Sequence, residues 1–102
     1  MPDRSLVRAA PAAANLLEAF RRRELSPVEA LSASVDRIAE CDARLGAMVV
    51  RLDALALAQA QAAEQAWRSG DAGPLAGVPV SIKDTFDIAG HVSTRGSRVF
   101  GR

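Results

Sequence analysis

The sequence predicts the α/β class: a run of helices leads into the first strands of a sheet that stays incomplete in this chain. Two observations carry that prediction. Apolar residues recur at helical spacing from about residue 12 to Trp67. Beyond Gly70 the period falls to two in Val78, Val80 and Ile82, set among glycines and prolines. The change of period divides the chain into a helical segment, 1–70, and a second segment, 71–102, in which a strand and a loop begin a separate core.

The first helix is expected over Ala12 to Arg23, where Ala13, Leu16, Leu17 and Phe20 share one face. Arg21, Arg22 and Arg23 crowd its C-terminal end, where cations suit the helix dipole, and read as a solvated helix end. The second helix is announced by Ser26-Pro27-Val28-Glu29, a capping box with proline at the first helical position. Val28, Leu31, Val35 and Ile38 form its apolar stripe, which ends near Cys41 or Asp42. A short extended piece, Ala47 to Val50, follows.

The third helix is expected from about Asp53 to Trp67, with Gly70 as its stop. Its alanine-rich middle favours helix and permits close packing, and Trp67 at helical spacing reads as a packing anchor. Five residues of the connector, Gly70, Gly73, Pro74, Gly77 and Pro79, forbid a regular helix. Val78 to Ile82 then reads as a short strand, with Pro79 placing it at a strand start or an edge. A loop, TFDIAGHVSTRGS, and a last apolar pair, Val99-Phe100, complete the pattern.

The chain has 102 residues, and its 49% hydrophobic and 25% charged content is that of a folded globular protein. A net charge of +1 calls for neither nucleic acid nor an anionic membrane as partner. No run of about eighteen apolar residues would span a membrane, and the N-terminus, with Asp3, Arg4, Arg8 and Pro11, lacks the apolar core of a secretory signal. The single cysteine, Cys41, forms no internal disulfide and points to a reducing compartment. Flanked by Glu40 and Asp42, it also lacks the electropositive setting of a reactive thiolate. The expected location is the cytoplasm.

Twelve arginines accompany one lysine, Lys83. A phosphate-binding loop is excluded, because Lys83 lies between Ile82 and Asp84 rather than in a Gly-Lys-Ser/Thr turn. A surface lysine paired with Asp84 or Asp87 is the plain alternative. The chemical one is a base: a lysine withdrawn from water becomes available as the neutral amine, given a hydroxyl within reach. His91, the lone histidine, has neither a metal set nor a serine partner with an orienting acid, and reads as an exposed loop residue.

The run Gly73-Pro74-Leu75-Ala76-Gly77-Val78-Pro79-Val80-Ser81-Ile82-Lys83-Asp84, followed by Gly90 and by Ser93-Thr94-Arg95-Gly96-Ser97, resembles the amidase signature family. Glu24 to Ala30 and Leu45 to Val50 are similar to that family's second-helix start and its short extended segment. The resemblance covers the chain from about Leu16 onward. It implies a mixed sheet, entered from N-terminal helices, and a hydrolase of carbon–nitrogen bonds with a Ser–cis-Ser–Lys triad. Lys83 would be the triad lysine, drawing a proton through the bridging serine from the nucleophilic serine. An acyl-enzyme would follow, with backbone amides holding the oxyanion. The resemblance implies no metal and no organic cofactor, and a small-molecule amide as substrate.

Both family serines lie on a Gly/Ser-rich segment further downstream than this chain reaches. Ser81, Ser93 and Ser97 do not replace them, since none lies in such a turn. Asp84, Thr94 and Ser97 are expected to support the lysine's surroundings. The chain is therefore expected to be the N-terminal part of an amidase, inactive alone. Within the same family stands a second expectation, the A subunit of a glutamyl/aspartyl-tRNA amidotransferase. Thr85 leans away from it, because that branch commonly has asparagine after Lys-Asp. The competing class is a truncated, non-catalytic product that acts at most as an interaction module.

Overall fold

With no side chain to cap it, the first helix, α1 (Ala13–Arg21), starts at Ala12, whose carbonyl accepts from the amides of Asn15 and Leu16. The structure, a computed structural model, describes residues 11–91 and 93. Expectations for the N-terminal stretch to Ala10, for Thr94 and Ser97, and for Val99-Phe100 lie outside the described residues. Helix α1 buries Ala19 and Phe20, half-buries Leu16 and Leu17, and leaves Ala13 exposed. Its C-terminal end closes as a Schellman motif: the Glu24 amide donates to Ala19 at 3.0 Å and the Arg23 amide to Phe20 at 3.1 Å. The left-handed position of that motif falls on Arg23, at φ +59°. Arg21 and Arg22 both turn back onto the carboxylate of Glu18, at 2.6 and 2.7 Å. The arginine run is thus a solvated, partly paired helix end.

Helix α2 (Pro27–Leu45) begins as the sequence predicts. The Ser26 hydroxyl accepts from the Glu29 amide at 3.1 Å, and the Glu29 carboxylate accepts from the Ser26 amide at 3.2 Å. It runs past the expected stop near Cys41 to Gly46, a left-handed C-cap whose amide donates to Asp42. Asp42 also receives the amides of Ala47 at 2.7 Å and Met48 at 3.0 Å through its side chain, so it fastens the exit of the helix. Helix α3 (Asp53–Ser69) packs along α2 and ends at Gly70 with a second Schellman motif, the Asp71 amide donating to Ala66 at 2.9 Å.

The core lies where the three helices meet. Ala19, Phe20, Leu25 and Ala30 are buried there, with Leu16, Leu17, Trp67 and Val78 packed against them. Phe20 and Trp67 meet as a tilted aromatic pair, ring centroids 6.2 Å apart. Trp67 is a packing anchor, as its spacing predicts.

The α/β expectation is overturned. Among the described residues the fold is three helices with no strand and no sheet. Val78 to Ile82 and Ala47 to Val50 are irregular segments without a ladder. The alternation at Val78, Val80 and Ile82 is present, yet Val80 is 79% and Ile82 54% exposed. A strand exists only when its amides and carbonyls are exchanged with a neighbouring strand. None of the described residues offers that neighbour, so the alternation has nothing to pair with. No helix among the described residues is long and apolar enough to cross a membrane.

Candidate functional site

Two consecutive turns bring the chain from the helices to Lys83. Pro74 sets up the first, closed by the Ala76 amide donating to Gly73 at 3.2 Å. The second closes with the Val78 amide donating to Leu75, also at 3.2 Å, and has Gly77 at its third position with φ +87°. That φ is the one a type II turn requires, and it favours glycine. Gly77 also lies directly on the core: a Cβ there would stand 2.6 Å from Pro27 Cγ and 3.3 Å from Phe20 Cε2. The glycine is required twice, by its backbone angle and by the proline beneath it.

From the other side Trp67 Nε1 donates to the Ala76 carbonyl at 3.0 Å. Val78 then inserts against the core cluster. The lead-in to the lysine is thereby clamped by all three helical regions: Phe20 of α1, Pro27 of α2 and Trp67 of α3.

Beyond the clamp the chain runs exposed through Val80, Ser81 and Ile82 to Lys83, itself exposed. A compact loop follows. The Phe86 amide donates to the Lys83 carbonyl at 3.0 Å, closing one turn, and the His91 amide donates to Ile88 at 3.1 Å, closing another around Gly90 at φ +80°. Ser93 returns to the start of the loop, its hydroxyl donating to the Asp84 carbonyl at 2.5 Å. Sequence reasoning sets Ser93 aside as a poor nucleophile and misses this role. Its only sequence signal is a hydroxyl placed just after the turn at Gly90.

This loop and the α2–α3 connector form the two walls of an open cleft of about 570 Å³. The connector contributes Met48, Val49, Val50 and Leu52; the other wall contributes Ile82, Lys83, Phe86 and Ile88. Ser81, Asp84, His91 and Ser93 also line it. Lys83 is therefore the one lysine or arginine in a largely apolar cleft among the described residues, and Asp84 lies beside it. His91 is exposed, as expected, but belongs to the cleft wall rather than to an unrelated loop surface. No hydrogen bond joins Ser81 to Lys83 among the described residues, so the serine nearest the lysine in sequence is not its partner.

Comparison with known proteins bears on the same segments. The family described as Amidase matches residues 29–101, more than half of the chain. Curated relatives named as the A subunit of glutamyl-tRNA(Gln) amidotransferase align well. The protein from Pelobacter propionicus is 40% identical over 80 residues, covering 78% of this chain and 16% of the relative. That from Methylobacillus flagellatus is 40% identical over 84 residues, covering 82% and 17%. That from Bordetella bronchiseptica is 41% identical over 86 residues, covering 84% and 17%. The chain thus spans about a sixth of the length of these relatives. No solved structure matches it.

Proposed function

Since this chain belongs to the amidase family, we propose that it is the N-terminal part of an enzyme that hydrolyses carbon–nitrogen bonds, with Lys83 as its base. The observation that carries the proposal is the placement of Lys83. The only lysine of the chain stands at the neck of a turn-closed loop, in a cleft, at the end of a segment clamped by the three described helices. A base must be held in a defined place relative to the hydroxyl it serves, and the clamp supplies such a place. Lys83 is exposed in this chain, and in this proposal the downstream part of the enzyme withdraws it from water and leaves its amine neutral.

In the proposed reaction the Lys83 amine takes a proton, through a bridging serine, from a nucleophilic serine on a downstream Gly/Ser-rich segment. That oxygen attacks the amide carbonyl, the C–N bond breaks with proton return to the departing nitrogen, and water then cleaves the acyl-enzyme. The substrate is a small amide, the setting is the cytoplasm, and no metal or organic cofactor takes part. The 102-residue chain by itself is inactive, because neither serine is in it.

The experiment is hydrolysis of propionamide and benzamide by the full-length gene product with Lys83→Ala and Lys83→Arg. Both variants are expected to lose about 10²- to 10⁴-fold in kcat/KM, the range of a general base. Turnover that survives either substitution removes Lys83 from the mechanism.

A second reading is favoured by the names of the aligned relatives: the A subunit of a glutamyl-tRNA(Gln) amidotransferase. Thr85 stands against it. Amide transfer onto glutamyl-tRNA(Gln), with weak turnover of the simple amides, would select this reading over the stand-alone amidase.

A further inference from the structure

We infer that Ser93 is a positioning residue for Lys83, a role that rests on the reading of Lys83 as the base. The turn that begins at Lys83 is pinned through two successive peptides, Lys83–Asp84 and Asp84–Thr85. The Lys83 carbonyl accepts from the Phe86 amide at 3.0 Å, and the Asp84 carbonyl accepts from the Ser93 hydroxyl at 2.5 Å. The first bond is local and only bends the chain. The second spans nine residues and closes the loop at its neck.

Lys83 is exposed, so packing does not choose its direction. The direction in which its side chain leaves the main chain is then set by the main-chain torsions at Lys83, which the Lys83–Phe86 turn holds. A change in those torsions swings a long side chain through several ångströms, and misplacement of about 1 Å can cost a reaction on the order of 100-fold. The Ser93 hydroxyl holds the next peptide, Asp84–Thr85, inside that turn and so keeps the turn and the torsions at Lys83 in place, from a half-buried position on the cleft wall. Serine suits the task because its short side chain donates one bond without filling the neck.

The test has two arms. In the 102-residue chain, hydrogen exchange of the Phe86 amide is compared between the parent, Ser93→Ala and Ser93→Thr. Ser93→Ala is expected to speed Phe86 exchange about tenfold while the amides of the core residues Phe20 and Ala30 keep their rates. Ser93→Thr, which retains the hydroxyl, is expected to restore protection. Unchanged Phe86 exchange in Ser93→Ala overturns the inference; so does a uniform acceleration that includes Phe20 and Ala30, or failure of threonine to restore it.

In the full-length gene product, Ser93→Ala is expected to lower kcat on propionamide about tenfold or more with KM nearly constant, and Ser93→Thr to stay within about threefold of the parent. A full kcat in Ser93→Ala, alongside a large loss in Lys83→Ala, removes the positioning role alone. Full activity in Lys83→Ala removes the base, and the positioning role with it.

Discussion

Trp67 Nε1 donates to the carbonyl oxygen of Ala76 at 3.0 Å, across nine residues of sequence. The end of α3 is thereby fastened to the turn that delivers the chain to Lys83. The same indole ring packs against Phe20, so one side chain links the core to the lead-in of the site.

Replacing Trp67 by phenylalanine separates those two tasks. Most of the ring contact is kept, and the half-buried Ala76 carbonyl loses its donor. The expected cost is about 1–2 kcal/mol, read as a lower urea midpoint by far-ultraviolet circular dichroism. An unchanged midpoint would mean that water replaces the indole without loss.

Gly77→Ala meets two penalties at once, a left-handed φ of +87° and Pro27 Cγ at 2.6 Å. A left-handed alanine costs about 1–2 kcal/mol, and overpacking a filled site about 1–3 kcal/mol more. Fluorescence of Trp67, the only tryptophan, is expected to report a chain that is largely unfolded or strongly destabilised.

Arg23→Gly should act in the opposite direction. Helices α1 and α3 end in the same motif, but the left-handed position is glycine in one and arginine in the other: Gly70 at φ +78° and Arg23 at φ +59°. Glycine removes the steric cost of that conformation, and a gain of about 1 kcal/mol is expected in urea unfolding. Loss of stability would show that the Arg23 side chain contributes more than its backbone angle costs.

Glu18 supplies a pH dependence. Hydrogen bonds from Arg21, then from Arg22, hold its carboxyl below the ordinary value of 4.5. A carboxyl with a lowered folded pKa stabilises the fold fully above its unfolded value, and that contribution fades as the pH falls through the folded one. Helix α1 should therefore weaken from about pH 4.5 downward, more so at low salt because the pair is exposed. A ¹³C titration of the Glu18 carboxyl checks the direction, and Glu18→Gln should flatten this part of the stability profile.

Helix existence was legible because its signals are local. Ser26 and Glu29 are three residues apart, Gly70 stands next to the helix it ends, and Phe20 falls on the stripe that is buried. The end of α2 is less legible, because the apolar stripe runs out at Ile38 while the backbone continues to the first residue free to turn left-handed, Gly46. The strand failed for a different reason. Alternation at Val78, Val80 and Ile82 describes a surface able to pair, and pairing needs a second segment that is absent from the described residues.

From residues alone, then, came the helices, the Ser26–Glu29 capping box, the Gly70 stop, the resemblance to the family and the lysine, because each is written in neighbours a few positions apart. Folding supplied what joins distant positions: Trp67 to Ala76, Gly77 to Pro27, and Ser93 to Asp84. Such contacts depend on where whole helices come to rest, a property that no short stretch of sequence carries by itself.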